Sequence, residues 1–142
     1  MEFENPSDSE IRAILSKPAT VAVVGCSNNP ARDSLKIALL LKSRGFRVIP
    51  VNPTLAPDAL MEQLGERVYP DLLAVPDPIE IVDVFRRPEY LPEIVEQAIA
   101  KTARILWCQL GVINLDAARR AQEAGMTVVM DRCPAIEYRR LF

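Results

Sequence analysis

Five short apolar segments alternate with helical patterns along the chain, and this alternation restricts the fold more than any other feature. The first segment, TVAVVG at positions 20–25, is a continuous apolar run rich in valine, which is typical of a strand buried on both faces. The other four segments are FRVIPVNP (46–53), IEIVDVF (79–85), RILWCQLG (104–111) and MTVVMD (126–131). Apolar residues with helical spacing lie between them, at positions 34–44, 91–99 and 114–124.

Strands that alternate with helices predict a parallel sheet with right-handed crossovers. We therefore expect an α/β fold, in which residues 1–142 form one domain around a doubly wound, Rossmann-like sheet of about five or six strands. An additional helix is expected at the N-terminus, because Ser7 and Glu10 form a capping-box pattern ahead of apolar residues at helical spacing.

The residue types that are missing exclude several functions. Histidine does not occur, so neither a Ser-His-Asp nor a Cys-His catalytic arrangement can be built from this chain. The three cysteines are scattered, and we expect no metal site and no catalytic residue. The formal net charge of -2 argues against nucleic acid as a partner. No apolar run reaches the roughly 20 residues that span a bilayer, and the acidic N-terminus is unlike a secretory signal, so we expect no membrane partner and a cytoplasmic location.

Arginines collect at one predicted edge of the sheet. Ligands of open parallel sheets bind beyond the carboxyl ends of the strands, where the strand order reverses. Arg32, Arg86, Arg87 and Arg132 all follow the carboxyl ends of predicted strands. Guanidinium groups make charge-assisted hydrogen bonds to phosphate, so positive charge beside a strand-to-helix turn favours a polyphosphate ligand.

The turn after the first strand departs from the glycine-rich fingerprint of dinucleotide-binding folds. In the GxGxxG register the three positions are Gly25, Ser27 and Pro30, so only the first glycine is present. Proteins that bind NAD also place an acid at the end of the second strand, where it holds the ribose hydroxyls. Here that strand runs into Asn52 and Pro53. These two departures make NAD a poorer candidate ligand.

Six stretches together resemble the small stand-alone CoA-binding domain proteins of bacteria and archaea. They are VAVVGCSNNPARDS, RVIPVNP, VYPDL, VDVFRR, LWCQLGV and VVMDRCPAIEY, and they cover most of residues 20–138 in order. Those proteins are related in fold to the CoA-binding domain of the succinyl-CoA synthetase alpha subunit. The synthetase uses a phosphohistidine in another domain, so the resemblance does not imply synthetase activity for a chain without histidine.

The resemblance implies a Rossmann-type fold with coenzyme A lying across the switch point of the sheet. It implies that residues 25–27 and Arg32 hold the pyrophosphate, that positions 52 and 53 flank the adenosine, and that residues 109–111 border the pantetheine. The ligand-binding residues expected on this basis are Gly25, Cys26, Ser27, Asn28, Arg32, Ser34, Asn52, Pro53, Phe85, Arg86, Arg87, Gln109, Gly111 and Arg132.

Three functions stay open at this point. The leading hypothesis is a non-catalytic protein that binds coenzyme A or an acyl-CoA as a carrier, sensor or regulatory module, either alone or with a protein partner or a second copy of itself. The second is an NAD(P)-dependent enzyme or enzyme subunit. The third is a redox module in which Cys26 forms a mixed disulfide with coenzyme A, and this requires a thiol pKa that is lowered by a helix N-terminus and a nearby arginine.

Overall fold

The computed structural model describes residues 3–142, which form a five-stranded parallel sheet between two layers of helices. The strands are β1 (Thr20–Val24), β2 (Arg47–Val51), β3 (Ile81–Val84), β4 (Ile105–Cys108) and β5 (Thr127–Val129). Their order in the sheet is β2-β1-β3-β4-β5, and each neighbouring pair is parallel. The predicted α/β, Rossmann-like architecture is confirmed.

The described residues form six α-helices, of which the first precedes β1, the last follows β5 and the other four lie between strands. They are α1 (Asp8–Ser16), α2 (Asp33–Ser43), α3 (Met61–Leu64), α4 (Leu91–Ala100), α5 (Leu115–Glu123) and α6 (Pro134–Leu141). Two short 3-10 turns, Leu72–Ala74 and Pro88–Tyr90, precede β3 and α4. None of the helices between residues 3 and 142 is long and apolar enough to cross a membrane.

Helices cover both faces of the sheet, which explains why the strand segments show no alternation of apolar and polar residues. On one face, α1, α2, α3 and α6 contribute side chains such as Ile11, Leu41 and Tyr138 to an apolar core. On the other face, α4 and α5 pack with residues that include Leu91 and Ala118. The sheet is therefore doubly wound, as the sequence predicts.

The strand order reverses between β1 and β3. From β1 the chain moves outward to β2, and it then returns across β1 to form β3 on the other side. The backbone amide of Gly25 donates a hydrogen bond to the carbonyl of Val51 (2.8 Å), and that of Phe85 donates to Val24 (2.8 Å). The loops after β1, β2 and β3 consequently begin side by side at one edge of the sheet.

Capping residues in the sequence mark two of the helix starts correctly. The hydroxyl of Ser7 accepts a hydrogen bond from the backbone amide of Glu10 (3.2 Å), and Asn114 caps α5 through a bond of 3.1 Å. The last strand is shorter than the predicted segment 126–131. Asp131 takes a left-handed conformation with φ of 59°, which turns the chain away from the sheet.

Candidate functional site

A groove of about 500 Å³ opens at the carboxyl end of β1. Its walls come from three loops that are far apart in the sequence, because the switch point brings the ends of β1, β2 and β3 together. The residues that line it are Gly25, Ser27, Ala31, Arg32, Asp33, Ser34, Asn52 and Phe85. Six of these eight are predicted ligand-binding residues, and the two additional ones, Ala31 and Asp33, carried no motif that could have identified them.

Gly25 allows the turn that forms this groove. Its φ is +86°, a conformation that side chains disfavour, and a Cβ atom built there would lie 3.1 Å from Cδ of Arg86 and 3.2 Å from the backbone of Phe85. The loops after β1 and β3 can therefore approach each other only because this position has no side chain.

The loop between β1 and α2 is fixed by its own polar side chains. The hydroxyl of Ser34 accepts a hydrogen bond from the backbone amide of Ser27 (2.9 Å), and the hydroxyl of Ser27 accepts one from the amide of Asn29 (3.0 Å). The Asn29 side chain in turn accepts a bond from the amide of Ala31 (2.9 Å). Three amides of this loop are thus already satisfied, and the amide of Ser27 is not free for a ligand phosphate.

The start of α2 is the part of the groove best suited to an anion. Arg32 precedes the helix with an extended backbone, and no side chain caps the first-turn amides. An uncapped helix N-terminus carries unsatisfied N–H groups and partial positive charge. The exposed side chain of Asp33 lies in the same first turn and lines the groove, so its carboxylate opposes a bound anion.

Asn52 joins the loops after β1 and β2. Its side-chain amide donates a hydrogen bond to the carbonyl of Cys26 (3.0 Å). Its side-chain oxygen accepts bonds from the backbone amide and the hydroxyl of Thr54, at 2.9 Å and 2.7 Å. A carboxylate at this position could not donate to Cys26, so the local structure accounts for the absence of an acid at the end of β2.

A second groove of about 300 Å³ lies on the α4 side of the switch point. Its residues are Val24, Val51, Pro53, Pro70, Asp71, Leu72, Arg86, Tyr90, Glu93, Ile94 and Gln97. The guanidinium carbon of Arg86 lies 4.3 Å from the centre of the Tyr90 ring, which holds the charged group at the groove wall. The polar side chains of α4 in this groove follow no sequence motif, and sequence reasoning missed them.

The arginines at the edge differ in their partners. Arg32, Arg86 and Arg87 have no carboxylate within 4.0 Å among residues 3–142, so their charges are available to a ligand. Arg132, at the end of β5, instead lies 3.5 Å from the carboxylate of buried Glu137. Arg132 therefore differs from the other three arginines in two ways: it lies at a different strand end, and it has an ion-pair partner.

The other predicted ligand-binding residues line neither groove within the described chain. Gln109 and Cys26 are buried beneath the edge of the sheet, whereas Asn28 and Arg87 are exposed in the loops beside the grooves. Gly111, with φ of +79°, lies in the turn after β4.

Asp83 is a buried acid that the prediction of the site omitted. Its side chain is 1% exposed, and Oδ1 accepts a hydrogen bond from the side-chain amide of Gln109 (2.5 Å). Oδ2 has no hydrogen-bond partner. Burial raises the pKa of Asp83 to about 7, against a smaller lowering by the Gln109 bond. An acid inside the otherwise apolar run IVDV was the feature that could have identified it.

Cys26 does not meet the requirement of the redox hypothesis. Its side chain is buried, and burial raises the pKa of the thiol to about 12, with a further contribution from the charge of Asp83. The lowered pKa that this hypothesis requires is therefore not found, since the thiolate is the reactive form and burial disfavours it. Cys108 is buried in the same way, and its pKa is also raised to about 12.

Comparison with known proteins agrees with this geometry. A protein-family model described as a CoA binding domain matches residues 19–139 of this chain. The chain belongs to the CoA-binding domain family. The matched region of this CoA-binding domain contains both grooves and every predicted ligand-binding residue, whereas α1 lies outside it.

Relatives of this CoA-binding domain occur both as short proteins and within a longer enzyme. It is 39% identical over 131 residues to the uncharacterized protein YneT of Bacillus subtilis, covering 92% of this chain and 93% of YneT. A solved structure of a hypothetical protein from Pyrococcus horikoshii OT3 is 39% identical, with a TM-score of 0.87 and 99% coverage of both chains. An ADP-forming acetate–CoA ligase of Archaeoglobus fulgidus is 29% identical over 86 residues, which are 59% of this chain and 12% of the ligase.

Proposed function

We propose that this CoA-binding domain binds coenzyme A or an acyl-CoA across the switch point and acts as a non-catalytic carrier, sensor or regulatory module. The observation that carries the proposal is the groove at the start of α2, which lies inside the region matched by the family model and has an unpaired arginine on its wall. Its volume of about 500 Å³ falls in the usual range for small-molecule sites.

The pyrophosphate is assigned to the first groove. The uncapped amides of α2 and the guanidinium group of Arg32 supply donors and positive charge at the same place. The loop between β1 and α2 is already ordered by its internal hydrogen bonds, so binding an anion there requires little loss of backbone freedom.

The adenosine is assigned to the second groove. Val24 and Ile94 contribute apolar surface for a flat ring, while Asp71 and Glu93 carry carboxylates that can accept hydrogen bonds from an exocyclic amine. Arg86 lines this groove, and its side chain also approaches Gly25 of the first groove. A nucleotide that passes over this contact would occupy both grooves.

A non-catalytic role is supported by the placement of the ionisable groups. The chain has no histidine, and the three groups whose pKa values are strongly raised by burial, the thiols at 26 and 108 and the carboxyl of Asp83, are not exposed. A general base must lie within hydrogen-bond reach of the proton that it removes. None of these three groups is accessible to a ligand in either groove.

Native mass spectrometry of the purified protein and a thermal-shift series would test this proposal. Coenzyme A should raise the melting temperature most, dephospho-CoA less and NAD least, because only coenzyme A carries the ribose 3′-phosphate that free arginines can bind. The differences should shrink as added salt screens the charges. A shift with NAD equal to or larger than that with coenzyme A would reject the proposal in favour of the dehydrogenase alternative.

A further inference from the structure

The carboxyl edge of the sheet changes in character from one side to the other. The ends of β2, β1 and β3 carry the two grooves and the unpaired arginines. The loop after β4 and the first residue of α5 instead expose Leu110, Ile113 and Leu115, which are 57%, 48% and 56% accessible. We call these three side chains the apolar rim. Three large apolar residues exposed within six positions form a patch that is available to an apolar partner.

The apolar rim belongs to a well-fixed loop. The backbone amide of Gly111 donates a hydrogen bond to the Asp131 carboxylate (2.8 Å), and the amide of Val112 donates to the carbonyl of Gln109 (2.9 Å). Val112 itself is buried in the core. The exposure of the rim is therefore imposed by the backbone, and a partner would meet a preformed surface.

The loop that carries the apolar rim adjoins the end of β3 and the segment between β3 and α4. The amide of Gln109 bonds to the carbonyl of Val84 at the end of β3 (3.2 Å), and the Asn114 side chain donates to the carbonyl of Pro88 (3.2 Å). These contacts place the rim beside the loop that carries Arg86. On the far side of the rim, Arg132 at the end of β5 lies 3.5 Å from the Glu137 carboxylate, whereas the arginines on the β3 side have no such partner among residues 3–142.

We propose that the apolar rim binds the acyl chain of an acyl-CoA, so that the ligand of this protein is a thioester of an aliphatic acid. This inference rests on the proposed binding of coenzyme A. An aliphatic acyl-CoA carries phosphates at one end and a hydrocarbon chain at the other. The phosphates match the arginines at the β1 and β3 side of the edge, and the hydrocarbon chain matches the apolar rim. Methylene groups that leave water for an apolar surface add affinity in proportion to the buried area.

Isothermal titration calorimetry with coenzyme A, acetyl-CoA and octanoyl-CoA tests this inference. Acetyl-CoA should bind with about the affinity of coenzyme A, because two carbons reach little of the rim. Octanoyl-CoA should bind about tenfold tighter, which corresponds to partial burial of its longer chain. The double variant Ile113→Ser/Leu115→Ser, whose two positions lie outside the segment 109–111 expected to border the pantetheine, should lose this gain and keep the affinity of the wild type for coenzyme A.

Leu39→Ser provides the matched control, because Leu39 is an exposed leucine on α2 and lies outside the apolar rim. This variant should retain the full preference for octanoyl-CoA. Equal affinities for octanoyl-CoA and coenzyme A in the wild type, or a preference that survives in the double variant, would overturn the assignment of the rim. Failure of all three ligands to bind would instead reject the proposed binding of coenzyme A on which this inference rests.

Discussion

Asp83 should make the stability of this protein decrease between about pH 5 and pH 7. The residue lies in the middle of the sheet, between Val23 of β1 and Trp107 of β4. The Asp83 carboxyl accepts one hydrogen bond, from the side-chain amide of Gln109, and its second oxygen has no partner. No Lys or Arg among residues 3–142 lies within 4.0 Å of it, so the buried negative charge has no compensating ion pair.

The size of the effect follows from the difference in pKa between the folded and unfolded states. Burial raises the pKa of Asp83 from 3.8 to about 7, so between these values the folded protein holds one proton that the unfolded chain has released. The free energy of unfolding then decreases as pH rises, by at most about 1.4 kcal/mol per pH unit. The stability is fully present below the lower value, and about 2 to 3 kcal/mol should be lost from pH 5 to pH 7.

Two features of the chain make this window easy to measure. There is no histidine, which is the side chain that ordinarily titrates between pH 5 and pH 8. The lowered carboxylate pKa values of Asp8 and Glu96 affect stability only at more acidic pH. The single tryptophan, Trp107, is buried next to Asp83, so its fluorescence reports unfolding in urea at each pH.

The Asp83→Asn variant isolates the contribution of Asp83 to the pH dependence of stability from the contributions of the other ionisable groups. Asparagine resembles the protonated acid in shape and charge, and its oxygen can still accept the bond from Gln109. The variant should be close to the wild type below about pH 4, where Asp83 is protonated in both states, and increasingly more stable than the wild type from pH 5 to pH 8, with a flat profile of its own over that range. The exposed Asp58→Asn variant should keep the wild-type slope. A wild-type stability that is constant or rises from pH 5 to pH 7, or an unchanged slope in Asp83→Asn, would refute the reasoning.

Three other predictions follow from the edge of the sheet. Arg86→Ala and Arg87→Ala should each weaken binding of coenzyme A about tenfold or more in calorimetry, since charge-assisted hydrogen bonds contribute roughly 1.5 to 3 kcal/mol. Arg104→Ala, at the opposite edge, should leave the affinity unchanged, and equal losses for all three variants would contradict the assignment. Asp33→Asn should tighten binding several-fold by removing an anion from the start of α2, and weaker binding would count against a phosphate there. In the folded protein a thiol reagent should label Cys133 well before the two buried cysteines, and early labelling of a buried thiol would revive the redox hypothesis.

The fold could be predicted from the sequence because its main determinants are local. Valine-rich strands such as β1, the capping side chains of Ser7 and Asn114, and the alternation with helices all act over a few residues. The end of β5 could not be predicted in the same way, since MTVVMD has no glycine or proline before Asp131. That end depends on the hydrogen bond between the Asp131 carboxylate and Gly111, which are 20 residues apart.

The position of the predicted ligand-binding residues at the edge was also predictable, but the contacts of the individual side chains were not. A residue that follows a parallel strand must lie at the carboxyl edge, and this places Gly25, Asn52 and Phe85 together. Whether a side chain then faces a ligand or the protein depends on partners from other loops. Gln109 bonds to buried Asp83, and the amide of Ser27 is satisfied within its own loop, so neither group is free in the way the sequence suggested.

The hydrogen bonds of Asn52 bear on whether NAD is a candidate ligand. The missing acid at the end of β2 was one of two reasons to disfavour that ligand, yet the structure shows that the Asn52 side chain donates a hydrogen bond to the carbonyl of Cys26, which an acid could not do. The local structure alone therefore explains why no acid follows β2, and the missing acid is weaker evidence against NAD than the sequence suggested. We therefore expect discrimination between coenzyme A and NAD to depend mainly on Arg86 and Arg87, because free guanidinium charges can distinguish a ribose 3′-phosphate from a ribose diol. The difference in thermal shift between coenzyme A and dephospho-CoA should consequently disappear in the Arg86→Ala/Arg87→Ala double variant, and a difference that persists would place the 3′-phosphate elsewhere on the edge.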